Sequence, residues 1–106
     1  AEPGRSAIPV PALEHVVAMK LLAHRDKDLL DLVALLRDAG DRLDAAALRA
    51  NIEARALEIA VRRGYLSLQA AAESGQLAQL WTERLGRPLL DETLAKALEQ
   101  LHNIFG

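Results

Sequence analysis

Apolar residues fall along this chain in blocks of helical period, separated by short polar or glycine-bearing breaks. The first block opens at Pro11, a residue suited to a first helical turn, and meets no further Gly or Pro before Arg25. It predicts a helix over 12–24, with Leu13, Val16, Val17, Lys20 and His24 sharing one face. A second helix follows over 27–39. Asp26 reads as its N-cap, Leu29, Leu30, Leu32, Val33, Leu35 and Leu36 supply its apolar side, and Gly40 is placed to end it. Asp41-Arg42-Leu43 is a linker. Asp44 then caps a third helix over 45–63, ended by Gly64, with Leu48, Ile52, Ala56, Ile59 and Ala60 as its buried stripe.

On the wet side of that helix, Arg49 with Glu53 and Glu58 with Arg62 are i,i+4 pairs, worth about 0.3 kcal/mol each. Ser67 caps a short helix through Glu73, closed by Ser74-Gly75. The next helix covers 76–85, with Leu77, Leu80, Trp81 and Leu85 apolar, and Trp81 reads as a core anchor. Gly86-Arg87-Pro88 stops it. Asp91 caps the last helix, over 92–105, where Leu94, Leu98, Leu101 and Ile104 or Phe105 line one side. Residues 1–11 hold Pro3, Gly4, Pro9 and Pro11 and predict an irregular or extended lead-in. The expected fold is all-α: a single helical domain over 12–106, built as a compact bundle of five or six helices.

Composition sharpens this reading. At 106 residues and 51% hydrophobic the chain can bury one core, and at 3% aromatic that core is aliphatic. Leu and Ala favour helices, and strand-forming residues are too sparse for a large sheet. The net charge of −2 gives no bulk attraction to nucleic acid or to an anionic membrane. No cysteine is present, which excludes disulfides and thiolate zinc sites. With no signal-like or membrane-spanning run, the expected setting is cytoplasmic.

The chemistry concentrates at the junction of the first two helices. Lys20 stands among apolar neighbours. Either its stem lies on apolar surface with the ammonium in water, or a stiff helix aims it at an anion such as a nucleotide phosphate. Asp28 and Asp31 are three apart and project from nearly the same side. They read as ordinary first-turn acids, with Lys27–Asp31 as an i,i+4 pair, or as acids that assist proton transfer or metal handling at a phosphoryl site. The link around Arg25-Asp26 is short, so the corner gathers Lys20, Arg25, Asp28 and Asp31. His24 reads first as a helix-end residue and second as a substrate contact. His15, His24 and His102 show no metal-ligand spacing, and no Walker loop, Rossmann glycine pattern or nucleophile elbow occurs. Arg62-Arg63 reads as ordinary basic residues of a last helical turn rather than a phosphate clamp.

The run from Ile8 to Asp31, with its Pro-rich lead-in, helix, Arg-Asp-Lys-Asp turn and second helix, resembles the C-terminal motifs of AbiEii-like nucleotidyltransferases, toxin-type members of the polymerase-beta-like superfamily. Their third motif is a lysine followed just over a turn later by Thr or Arg, matched by Lys20 and Arg25. Their fourth is a short aspartate cluster, matched by Asp28 and Asp31. The resemblance implies nucleotide or phosphate contact for Lys20 and Arg25 and a supporting catalytic role for Asp28 or Asp31. Such enzymes transfer a nucleotidyl group from an NTP to an acceptor, in some toxins a tRNA end.

The family's first motif, Gly-Ser followed by paired metal-binding aspartates, has no counterpart, since Ser74-Gly75 is followed by Gln76 and Leu77. The implied protein is therefore a C-terminal portion or a reduced relative, inactive alone. It holds no cofactor by itself, and takes Mg and NTP only with an N-terminal catalytic part supplied. That part, or a second copy of the chain, is the implied partner. A non-catalytic helical interaction or oligomerisation module is the alternative, its apolar surplus covered by a partner.

Overall fold

The helix carrying Lys20 is apolar around most of its circumference, and a helix of that kind needs neighbours on several sides. A computed structural model, describing residues 12–105, gives it those neighbours. Six α-helices occur among the described residues, with no strand: α1 (Ala12–Ala23), α2 (Asp26–Ala39), α3 (Ala45–Ala54), α4 (Glu58–Glu73), α5 (Gln76–Leu85) and α6 (Asp91–Phe105). A short 3-10 turn, Gly40–Arg42, joins α2 to the linker before α3. The all-α expectation holds. The lead-in expected over 1–11 lies outside the described residues.

Helix α1 packs against α2, α3 and α4, while α2 also packs against α5 and α6. The core is aliphatic, with Val17, Leu21, Leu32, Leu36, Leu48, Leu68, Leu77 and Leu101 fully buried. Trp81 anchors α5 in it, buried as expected, and the Arg37 guanidinium lies 5.5 Å from its ring centroid. No described helix is long and apolar enough to cross a membrane.

The largest departure from expectation lies between α3 and α4. The helix expected over 45–63 ends at Ala54, and the chain reverses through Ala56 at φ 57° before α4 begins at Glu58. Gly64 does not terminate anything. It sits buried inside α4 facing Leu21 of α1, where a Cβ would strike the Leu21 carbonyl oxygen and lie 2.7 Å from the Leu21 carbonyl carbon. The glycine is there to let two helix backbones meet, not to stop one. Ser67 is likewise interior to α4 rather than the cap of a separate helix. The expected stripe fails with the boundary: Leu48 and Ile52 are buried, Ala60 is half-buried, and Ala56 and Ile59 are exposed.

Smaller corrections follow from partners distant in sequence. Arg49 donates to the Asn103 and Ile104 carbonyls and Arg62 to the Phe105 carbonyl, so both cap the C-terminus of α6 rather than pairing with Glu53 and Glu58. On α1, Val16 is 37% exposed, and the core face is Val17, Ala18 and Leu21. The last helix takes in Asp91 as its first residue.

Glu14 is a buried carboxylate that the pattern of residues did not single out. Its Oε2 accepts the Asp44 backbone N–H at 2.8 Å. Asp44 caps α3 by accepting from the Ala47 N–H at 3.0 Å. In a capping box the third helical residue returns a bond to the cap's own N–H, which Ala47 cannot do. Glu14 does it from α1, tying the two helices together.

Candidate functional site

Helix α1 stops just past Lys20. Ala23 is its last residue and His24 takes φ 33°, with its N–H donating to the Lys20 carbonyl at 2.9 Å. The His24 Nδ1 lies 3.1 Å from the Leu21 carbonyl oxygen, a hydrogen bond when Nδ1 carries the proton. His24 is thus a helix-end residue, as its position implied. Arg25 is extended, and α2 starts at Asp26, so the N-cap is Arg25 rather than Asp26. Arginine has no acceptor with which to cap. The local remedy is Asp28, whose Oδ2 accepts the Arg25 backbone N–H at 3.3 Å and the Arg25 Nε–H at 3.0 Å. Asp26 instead accepts from the Gln76 amide at 3.3 Å, which fastens α5 to the corner.

Across the corner, the Lys20 ammonium donates to Asp31 Oδ2 at 2.9 Å and lies 3.5 Å from Asp28 Oδ1. The structure therefore brings all four sequence-selected residues into one ion-pair network. Asp31 pairs with Lys20 rather than with Lys27. The network joins the carbonyl end of α1 to the amide end of α2, so Lys20 on α1 and Asp28 and Asp31 on α2 each offset the helix dipole they sit on.

Burial divides the four. The Asp28 side chain is only 7% exposed, against 27% for Lys20, 43% for Asp31 and 80% for Arg25. Burial pushes the Asp28 carboxyl upward. The hydrogen bonds from the Arg25 side chain and backbone, helped by the charges of Arg25 and Lys20, outweigh it and hold the carboxyl below its ordinary 3.8. Lys20 is raised above 10.5, chiefly by its hydrogen bond to Asp31, against an opposing effect of burial and with further help from the charge of Asp28. Asp28 is consequently a fixed anion that positions two cations. It is neither a proton donor nor a good base near neutrality. Asp31, half in solvent, is the more exposed of the two carboxylates paired with Lys20.

The donor set does not fit a magnesium ion. Asp28 and Asp31 are the two carboxylates of the network, and the Lys20 ammonium lies between them, where a shared metal would stand, while Asp26 is engaged by Gln76. No cluster of three or more His, Cys, Asp or Glu suited to a metal occurs among the described residues. The grooves lined by Arg49 and Ile59, by Arg37 and Lys96, and by Leu43 and Gln100 involve none of the four residues. No family model, curated protein or solved structure matches the chain.

Proposed function

We propose that the α1–α2 corner is the phosphate-contacting part of a nucleotide site in a nucleotidyltransferase-like protein, and that the metal-binding part is supplied from outside this chain. One observation carries the reading: the Lys20 ammonium, 2.9 Å from Asp31, shares Asp28 with Arg25 at the junction of two rigid helices. The resemblance of Lys20, Arg25, Asp28 and Asp31 to the C-terminal motifs of AbiEii-like nucleotidyltransferases supports it. In this reading Lys20 and Arg25 meet the phosphates of an NTP through charge-assisted hydrogen bonds. Asp28 holds both cations in place from beneath. Asp31 gives up Lys20 as the phosphate arrives and keeps the supporting acid role. Through these contacts the chain alone holds a triphosphate only weakly, and full Mg and NTP binding and transfer need the missing metal-binding part.

The test is a titration with ATP, with and without Mg2+, of the wild-type chain and of Lys20→Met, which keeps the stem and removes the charge. Wild type is expected to bind in the millimolar range and Lys20→Met about tenfold more weakly or worse, a loss of about 1.4 kcal/mol. Tripolyphosphate should bind as ATP does, because every contact named is to phosphate. Equal binding by the wild type and a folded Lys20→Met chain overturns the reading.

A second reading, a helical interaction module, is favoured by the large apolar side chains left in solvent, among them Ile59, Leu66, Leu85 and Leu90. A strictly monomeric chain counts against it.

A further inference from the structure

One face of α4 is built for contact and is left exposed among the described residues. The core side of this helix, Val61, Gly64, Tyr65, Leu68 and Ala71, is buried. On the opposite side Ile59, Arg63, Leu66, Ala70 and Glu73 are all exposed, Ile59 at 73% and Leu66 at 52%. These five positions are spaced 4, 3, 4 and 3 apart, the spacing of a coiled-coil seam. A monomer gains nothing from two bare β-branched or γ-branched side chains on one such line. Arg63 and Glu73 make no ion pair among the described residues.

We infer that this seam of α4 docks against the same seam of a second copy of the chain, with the two helices antiparallel. The charges select both occupant and direction. Leu66 is the middle position of the seam, with the others seven and three residues before it and four and seven after. In the antiparallel pair Leu66 meets Leu66 of the second copy, Arg63 crosses the small Ala70, and its guanidinium reaches Glu73 one turn further on. Ile59 packs at the two ends, where the stem of Glu73 covers it. A parallel pair stacks Arg63 on Arg63 and Glu73 on Glu73, which like charges disfavour. Helix α4 has 16 residues, about 24 Å of rod, enough for the whole seam to engage. The inference stands apart from the nucleotide reading and gives the interaction-module reading its surface.

Sedimentation equilibrium of the full chain across the micromolar to millimolar range tests it, with circular dichroism to check folding. Wild type is expected to dimerise reversibly. Leu66→Lys, at an exposed position, should leave helicity unchanged and weaken association by roughly 100-fold or more, because two buried leucines are lost per dimer. Ile59→Asp is a second disrupting variant. Arg63→Glu and Glu73→Arg should each weaken the dimer, and the double variant, which restores opposite charges across the antiparallel seam, should regain it. A chain monomeric throughout, a dimer indifferent to Leu66→Lys, or a double variant no better than the singles overturns the inference. ATP binding by a monomeric Leu66→Lys chain should match the wild type, so the two readings fail separately.

Discussion

Gly64→Ala separates local helix propensity from tertiary packing in a single substitution. Propensity alone favours alanine inside α4 by about 1 kcal/mol. The structure opposes it, because the new Cβ would lie 2.7 Å and 2.9 Å from the carbonyl carbon and Cα of Leu21. Carbons in contact sit about 3.5–4.0 Å apart, so α1 and α4 must part by roughly 1 Å. A gap of that size forfeits about a quarter to a half of each dispersion contact across the interface. The side chains affected are Val17 and Leu21 on α1 and Val61, Tyr65 and Leu68 on α4, all in the core. Overpacking costs about 1–3 kcal/mol, and the upper end applies because the atoms struck are main chain and cannot rotate away. Subtracting the propensity gain leaves a loss of about 2 kcal/mol from a total on the order of 5–15 kcal/mol. The expected fall in Tm is about 10 °C.

Urea unfolding followed by Trp81 fluorescence and by helical circular dichroism measures this directly, with the slope against denaturant unchanged. Gly40→Ala is the control. There the three atoms nearest to a Cβ all belong to the end of the Gln100 side chain, with Nε2 at 2.6 Å, and that side chain can turn away. Its effect should stay within about 0.5 kcal/mol. A Gly64→Ala chain as stable as the wild type would show that the close approach of α1 and α4 is not what this glycine provides.

Ala56→Gly should stabilise the chain by about 1 kcal/mol, since Ala56 is exposed and held at φ 57°, and a rise in the urea midpoint checks it. Glu14→Ala should cost about 1–3 kcal/mol by leaving the Asp44 N–H without its acceptor. Adding Ala47→Glu should recover part of that loss in the same melt, because it completes the capping box locally. The pH dependence has a fixed sign. The folded Asp28 carboxyl lies below 3.8, so its contribution is present above that value and is lost as pH falls through the folded value. Asp28→Asn should therefore flatten the acid limb of a stability–pH curve. Lys20 lies above 10.5, so its contribution is full below 10.5 and disappears only as pH rises beyond it.

The corner was legible in the sequence because it is local. Lys20, Arg25, Asp28 and Asp31 fall within two short helices and one tight turn, and helical geometry alone brings them close. What escaped depends on residues far apart in the chain. Gly64 looks like a terminator until α1 is placed against it. Ala56 turns the chain without a glycine or proline to announce it. Arg49 and Arg62 look like partners for neighbouring glutamates, but the bare carbonyls at the end of α6, more than forty residues on, take them instead. Burial of Asp28 rather than Asp31 follows from how α2 rolls against α1, which the three-residue spacing leaves open.

The most direct test of the corner as a phosphate-contacting site is the 15N resonance of the Lys20 side-chain ammonium, followed by NMR at constant ionic strength as tripolyphosphate is added. Without ligand, that ammonium should exchange its protons more slowly than those of the more exposed Lys27 and Lys96, because Asp31 and Asp28 hold it. With ligand, its shift and that of the Arg25 Nε should move together and saturate, while Lys96 stays still. A Lys20 signal indistinguishable from Lys27 and Lys96 and unmoved by tripolyphosphate would reduce the corner to an ion-paired helix junction with no part in binding.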